Sequence, residues 1–250
     1  MARVDGKVYE RTVPSELDEI HIRRMTASLI DQIAAIHLVD IAAAGLAQHA
    51  DGQTFLDREI KRWSDEMQRV RRGPLPALER LLHELHTQRP EPCPTITLVH
   101  GDVKPGNFAF VGDDVSAVFD WELATIGDPL ADIGYLELMW AVPIGIASRP
   151  GALAVDEMVS RWEAQTGITV RNREWYRAFQ GYKLAVILLL GSMLIDAGHS
   201  DDPRLAEMAL GIPFITRGAL RELGVTERLE TGPIAPRAQR LDHLQRQRVG

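Results

Sequence analysis

The sequence predicts a mainly helical α+β domain that carries one small β element. Apolar residues recur at helical spacing through long segments before and after the middle of the chain. Short runs of β-branched and apolar residues are confined to positions 95–119. The 250 residues are 45% hydrophobic and 25% charged, which is ordinary for a soluble globular protein with a real core.

Three helices are predicted ahead of the β element. The first begins after Pro14, where Ser15 followed by Asp18 resembles a capping box. The second runs from Thr54 to about Arg71, and the third runs from near Pro76 to before Pro90. One apolar stripe marks the first helix and consists of Ile22, Met25, Leu29, Ile33 and Ile36.

The β element is predicted from three short segments. Thr95–Val99 reads as a strand, and Phe108–Val111 and Val115–Phe119 form a pair. Gly112-Asp113-Asp114 separates that pair, and such turn residues between two apolar runs predict a β-hairpin. The element therefore holds a loop between Val99 and Phe108, where functional residues are often placed.

The chain returns to helix after Pro129, and Pro213 should kink or split the last helix. The apolar run Leu184–Ile195 is too short for a membrane span of roughly twenty residues and predicts a buried core helix. Residues 225–250 are polar and rich in Arg, which predicts a loose tail. The predicted helices are about Leu130–Ala141, Val155–Thr166, Arg173–Ala197 and Pro203–Leu223.

Charge and cysteine content restrict the possible partners and compartment. The net charge is −7 and no basic stripe stands out, which argues against a nucleic-acid partner. The N-terminus has no apolar region typical of a secretory signal. Cys93 is the sole cysteine, so no internal disulfide is possible. We therefore expect a soluble, cytoplasmic protein with no membrane partner.

The loop contains the residue types that phosphoryl transfer requires. A carboxylate must orient the attacking hydroxyl group or accept its proton, and oxygen ligands must hold Mg²⁺ on the triphosphate. Asp102 and Asn107 lie five residues apart on the loop, and Asp120 at the end of the hairpin can return to the same place. Lys104 can offset charge on the transferring phosphate, although a loop lysine is often simply solvated.

Three motifs together resemble the aminoglycoside phosphotransferase family, which is related to the protein kinases. They are His-Gly-Asp-x-Lys-Pro-x-Asn at 100–107, Phe-Asp-Trp-Glu at 119–122, and Gly-Asp-Pro-Leu-Ala-Asp-Ile-Gly at 127–134. The resemblance implies a kinase-like fold and the use of ATP and Mg²⁺. It also implies transfer of phosphate to a hydroxyl group of a small-molecule substrate.

The resemblance also assigns a role to individual residues. It implies that Asp102 is the catalytic base, and that Asn107 and Asp120 bind the nucleotide through Mg²⁺. His100 would brace the backbone near Asp120, and Asp132 would secure the catalytic loop through hydrogen bonds.

Two upstream segments, Ala35–Asp40 and Lys61–Ser64, are similar to the branch of this family found near acyl-CoA dehydrogenases. A hydroxylated acyl metabolite is therefore at least as plausible an acceptor as an aminoglycoside. The family places a β-rich lobe with a phosphate-covering loop before this region, and Met1–Glu10 resembles the hinge that follows it. We expect residues 1–14 to be a hinge-like leader and residues 15–224 to be the C-terminal lobe alone, with self-association or a separate N-lobe partner.

Two alternatives remain open at this stage. In the first alternative to a phosphotransferase, the chain is an inactive, truncated protein that binds a nucleotide or another ligand. In the second, it is a metal-dependent hydrolase that uses His100 with Asp102 and Asp120. Outside the motifs, His37 is expected to interact with the dipole at the end of the first helix. Glu122 and Asp128 either help to position Asp120 or the substrate, or only cap the next helix.

Overall fold

The structure, a computed structural model, describes residues 4–46, 48, 55–142 and 144–234 and divides the chain into two compact units. The first unit contains Met1–Phe55 and Pro92–Tyr176, and the second contains Leu56–Glu91 and Arg177–Gly250. All six residues proposed for the site belong to the first unit.

The elements follow the predicted order closely. The helices are α1 (Glu19–His37), α2 (Phe55–Val70), α3 (Pro76–Thr87), α4 (Leu130–Trp140), α5 (Val155–Thr166), α6 (Arg173–Asp196), α7 (Pro203–Ala209) and α8 (Ile212–Glu222). The strands are β1 (Lys7–Val8), β2 (Thr97–Val99), β3 (Phe108–Val111), β4 (Asp114–Val118) and β5 (Thr125–Gly127).

Helix α1 forms the centre of the first unit and packs against α5. Its predicted apolar stripe is confirmed, because all five residues of the stripe are buried. The start of the helix differs from the prediction. Asp18 is itself the N-cap, and its carboxylate accepts hydrogen bonds from the backbone of Ile20 and His21 at 2.9 and 3.0 Å. A carboxylate at this place satisfies two of the free N–H groups of the first turn.

The predicted hairpin is confirmed, and two further strands complete two small sheets. Strand β3 pairs with β4 and also with β1, which gives the order β1-β3-β4. Strand β2 pairs antiparallel with β5, with Val99 opposite Thr125. Strands β1 and β5 have two and three residues, which is too short for the sequence to show a period.

The second unit is helical in its described residues. Helix α6 has the length and composition of a membrane span, yet 72% of its most apolar window is buried inside the fold, as in the core helix of a globular protein. The predicted last helix is split into α7 and α8, and Pro213 lies in the first turn of α8. Proline is tolerated there because its missing N–H would have no helical partner.

Part of the predicted tail belongs to the second unit. Val225 and Ile234 are buried, and the backbone N–H of Ala77 donates a hydrogen bond to the carbonyl of Glu230 at 3.0 Å. Residues 225–234 therefore pack on this unit instead of forming a loose end. Residues 235–250 of the predicted tail lie outside the described residues.

Candidate active site

Pairing between β2 and β5 brings both ends of the candidate site together. The candidate catalytic loop, residues 100–107, leaves β2 after Val99, and the segment after the hairpin enters β5 at Thr125, opposite Val99. Gly101 has a φ of +82°, and a Cβ atom there would lie 2.6 Å from the carbonyl oxygen of Leu123. Only glycine fits this close approach without strain.

Asp102, Lys104 and Asn107 form a hydrogen-bonded cluster on this loop. The Oδ2 atom of Asp102 accepts a hydrogen bond from Lys104 Nζ at 2.8 Å and another from Asn107 Nδ2 at 2.8 Å. The Asp102 side chain keeps 14% of its surface exposed, so the carboxylate is held but remains reachable. The structure thus brings together three of the residues that the sequence selected.

The amide of Asn107 has one orientation. Its Nδ2 atom donates to the Asp102 carbonyl oxygen at 2.8 Å as well as to the Asp102 carboxylate. Both partners are acceptors, so they must face the NH₂ group and not the amide oxygen. The Oδ1 atom therefore keeps its lone pairs for another partner, and Asn107 can serve as an oxygen ligand.

Asp120 is joined to this cluster through the backbone of its neighbour. The N–H of Phe119 donates to the carbonyl of Asn107 at 2.9 Å, and the carbonyl of Phe119 accepts from His100 Nε2 at 2.8 Å. Asp120 itself adopts a left-handed conformation, with φ 59° and ψ 54°, and its side chain is exposed. Such backbone conformations in residues other than glycine concentrate at functional sites.

Both ring nitrogens of His100 are engaged within the fold. The backbone N–H of Asp102 donates to His100 Nδ1 at 3.1 Å, so the proton of the neutral ring is on Nε2, which faces the carbonyl of Phe119. The ring is completely buried and packs against Trp121 at 4.6 Å between centroids. His100 therefore has no lone pair to offer a metal ion, and the hydrolase alternative loses its histidine ligand.

Asp132 holds the start of the catalytic loop from the first turn of α4. One carboxylate oxygen accepts from the backbone N–H of His100 at 2.8 Å, and the other accepts from Gly101 at 2.8 Å. His37 Nε2 lies 3.1 Å from the same carboxylate. Burial opposes ionisation of Asp132, but these hydrogen bonds hold its pKa below the ordinary value.

His37 is a support residue that the sequence did not indicate. Its ring is buried, and the indole N–H of Trp162 donates to Nδ1 at 2.9 Å. An indole N–H can only donate, so Nε2 carries the ring proton and donates it to Asp132. His37 acts through this side-chain contact, not through the expected helix dipole. Its partners lie 95 and 125 positions away, so no local motif could reveal them.

Asp128 is buried at the start of α4, just before the helix begins. Its carboxylate accepts from the backbone of Leu130 and Cys93 at 2.9 Å each, and from the Tyr176 hydroxyl at 2.6 Å. Burial nevertheless raises the pKa of Asp128 above its ordinary value. Asp128 thus holds the backbone at Cys93 and at the start of α4, whereas Asp132 holds the start of the loop. The pKa of Asp128 is raised and the pKa of Asp132 is lowered.

The ligands available at the site fit Mg²⁺ held jointly with a nucleotide. Mg²⁺ usually takes one or two protein oxygens and completes its shell with phosphate oxygens and water. The Asn107 amide oxygen and the exposed Asp120 carboxylate would be the two protein oxygens of such a site. Among the described residues there is no group of three or more His, Cys, Asp or Glu side chains that would enclose a metal ion by themselves.

The sequence matches one protein family and is similar to parts of longer proteins. The sequence model of the Phosphotransferase enzyme family matches residues 1–177. Acyl-CoA dehydrogenase family member 10 of Mus musculus is 31% identical over 169 residues, which cover 62% of this chain and 16% of that protein. Acyl-CoA dehydrogenase family member 11 of Rattus norvegicus is 28% identical over 205 residues, which cover 75% of this chain and 26% of that protein. The chain thus matches about a quarter or less of these relatives' length.

Solved structures share the fold. A structure described as a putative aminoglycoside phosphotransferase from Ralstonia eutropha aligns with a TM-score of 0.79 and 22% identity, covering 90% of this chain and 72% of that one. A thermostable mutant of aminoglycoside phosphotransferase APH(4)-Ia, in a ternary complex with ADP and hygromycin B, aligns with a TM-score of 0.57 and 17% identity, covering 91% and 71%. These identities establish a common fold and no more.

Proposed function

The chain belongs to the phosphotransferase enzyme family, and from this premise we propose that it transfers the γ-phosphoryl group of ATP to a hydroxyl group of a small molecule. The observation that carries the proposal is the contact between the Asp102 carboxylate and Asn107 Nδ2 at 2.8 Å. This contact holds a reachable base beside an amide whose oxygen is available to a metal ion.

Asp102 has the role of the base in this reaction. The acceptor oxygen attacks the γ-phosphorus, the bond from that phosphorus to the β–γ bridging oxygen breaks, and ADP leaves. The proton of the acceptor hydroxyl passes to the Asp102 carboxylate. Lys104 uses one of its three donors on Asp102, so two remain for the oxygens of the transferring group.

Asn107 Oδ1 and the Asp120 carboxylate would hold Mg²⁺. When bound, that ion supplies positive charge that neutralises the phosphate oxygens. His100, His37 and Asp132 contact no reactant in this proposal. They keep the loop backbone and the peptide before Asp120 in place, so that the two ligands and the base stay together.

Two acceptor classes follow from the comparisons. The sequence relatives are named acyl-CoA dehydrogenase family members, which favours a hydroxyacyl thioester. A structural neighbour holds hygromycin B, which favours an aminoglycoside. A transfer assay with γ-labelled ATP should use both classes in parallel, because the label ends on the acceptor only when its hydroxyl group is the nucleophile.

Calorimetry with Mg·ATP tests the nucleotide site separately from turnover. We expect binding by the wild type and by Asp102→Ala, and loss of binding in Asp120→Asn. Asp114→Ala changes an exposed aspartate on the same hairpin and serves as the matched control. Binding without transfer to either class would support the inactive binding protein instead. Phosphate release that needs no acceptor, together with a tightly held transition metal, would support the hydrolase.

A further inference from the structure

The segment that leads into α1 has no helix or strand of its own. This entry segment, residues 9–18, follows β1 directly and ends at Asp18, the N-cap of α1. Its carbonyl groups therefore need partners outside regular secondary structure. Within the first unit, one loop supplies such partners. This loop, residues 145–151, is named the seat.

Arg149 of the seat binds the entry segment through three backbone carbonyls. Its Nη1 atom donates to the carbonyl of Val13 at 3.0 Å and to that of Pro14 at 3.3 Å. Its Nη2 atom donates to the carbonyl of Leu17 at 3.2 Å. Because the guanidinium group is planar and always charged, these bonds fix one orientation of the segment against the seat.

The same segment touches the candidate catalytic loop at Glu10. Gly145 of the seat lies against the carbonyl groups of Tyr9 and Glu10, since a Cβ atom at Gly145 would be 2.8 and 2.7 Å from their oxygen atoms. The side chain of Glu10 in turn packs on Gly106, where a Cβ atom would be 2.9 Å from Glu10 Cγ. Gly106 directly precedes Asn107, the proposed metal ligand. The contacts thus run from the seat through Glu10 to the loop.

We propose that Arg149 is a positioning residue that holds Asn107 in place through the entry segment. The guanidinium group fixes the segment, the segment keeps Glu10 on Gly106, and Gly106 keeps Asn107 at the metal site. This inference rests on the proposed function, because it takes Asn107 as a ligand of Mg²⁺. It adds a determinant of nucleotide affinity that lies outside the three sequence motifs.

Variants of two residues divide these contacts into separate steps. Arg149→Met removes the donors and keeps a long unbranched side chain. Arg149→Lys keeps the charge but places its donors on one nitrogen, so it should restore the contacts only in part. Glu10→Ala removes the contact with Gly106 and leaves Arg149 on its carbonyls. The matched control is Arg161→Met, because Arg161 belongs to the same unit and donates to the Asp31 carboxylate at 2.6 and 2.7 Å.

Hydrogen exchange of single backbone amides tests these contacts without any nucleotide. The N–H groups of Leu17 in the entry segment and Asn107 in the loop each donate to a carbonyl three residues earlier, at 3.3 and 3.0 Å. We expect Arg149→Met to speed exchange of both amides by about tenfold, because both segments open locally when bonds to a charged group are lost. Glu10→Ala should speed exchange at Asn107 alone. Unchanged exchange at Asn107 in Arg149→Met would overturn the inference, and so would an equal rise in Arg161→Met.

Calorimetry with Mg·ATP tests the consequence for the proposed metal ligand. Arg149→Met should raise the Kd by about tenfold, since loss of an outer support typically costs at least that much metal affinity. Arg149→Lys should recover part of the affinity, and Arg161→Met should bind as the wild type does. A general loss of folded protein would lower the number of binding sites at unchanged Kd. An unchanged Kd in Arg149→Met, with or without such a loss, would overturn the inference, as would an equal rise in the control.

The two measurements also separate the inference from the proposed function. If the wild type binds no Mg·ATP, the proposed function fails, and exchange at Asn107 alone decides whether Arg149 positions the loop. If the wild type binds Mg·ATP and exchange at Asn107 does not respond to Arg149→Met, the proposed function stands and the role of Arg149 is rejected.

Discussion

Two groups of side chains make up the candidate site around the catalytic loop, and they differ in exposure. The buried anchor consists of His37, His100 and Asp132, which are at most 3% exposed and are all joined by hydrogen bonds. The reactive group consists of Asp102, Lys104 and Asp120, whose side chains keep access to solvent. The residues proposed to react are therefore different from the residues that hold the loop in place. Changes in the reactive group should therefore cost activity, and changes in the buried anchor should cost stability.

The largest effect is expected from the reactive group. Asp102→Ala removes the proposed base and should lower the rate of transfer by about 10²- to 10⁴-fold. Its effect on the urea midpoint should be small, because the lost contacts are partly exposed. Labelled-phosphate transfer and urea unfolding on the same preparation measure both quantities. A large fall in stability with an unchanged rate would reverse the assignment of the two groups.

The next effect belongs to the buried anchor. Asp132→Ala leaves His37 Nε2–H and the backbone N–H groups of His100 and Gly101 without their acceptor. We expect the free energy of unfolding to fall by about 3–5 kcal/mol, which is typical when one partner of a buried charged network is removed. Chemical denaturation measures it. Asp132→Asn is the matched variant, and it should lose less because its amide keeps one acceptor oxygen.

A smaller loss is expected one step further from the loop. His37→Leu keeps an apolar side chain of moderate size but removes the link between Trp162 and Asp132. The free energy of unfolding should fall by about 1–3 kcal/mol, since buried polar groups lose their partners. Thermal unfolding would record the change. A neutral result would mean that His37 fills space and does not anchor the loop.

The smallest effect is expected in the pH dependence of the free energy of unfolding, compared between variants of Asp132 and Asp128. Asp132 has a lowered pKa, so its stabilising contribution is present above its unfolded pKa of about 3.9 and disappears as the pH falls through the folded value. Asp128 has a raised pKa, so its ionisation lowers the free energy of unfolding as the pH rises from the unfolded pKa through the folded one. Unfolding free energies between about pH 3 and pH 7 should show Asp132→Asn approaching the wild type in acid. Asp128→Asn should instead gain on the wild type as the pH rises.

Local sequence signals predicted the residues of the reactive group more completely than those of the buried anchor. Asp102 and Asn107 lie five residues apart on one loop, and turn residues predicted the hairpin that returns Asp120 to them. These signals are local. His37 reaches Asp132 across 95 positions and Trp162 across 125, and nothing near His37 records either contact. Asp132 entered the prediction only through the resemblance to a family.

The same limit explains the differences in the fold. Pro213 predicted the break between α7 and α8 because proline acts on its own turn. Strands β1 and β5 are defined by their partners and not by their own residues, so the sequence did not predict them. Residues 225–234 are polar overall, and their place on the second unit depends on a few contacts such as the one between Ala77 and Glu230.

The left-handed backbone at Asp120 decides which substitutions there can be interpreted. Asparagine adopts that geometry nearly as readily as aspartate, whereas most other residues are disfavoured by roughly 1–2 kcal/mol. An alanine at this position would change both the charge and the path of the chain toward Trp121. Asparagine removes the charge alone, so a ligand-affinity series at this position is best built on Asp120→Asn, with glycine as the reference for backbone freedom.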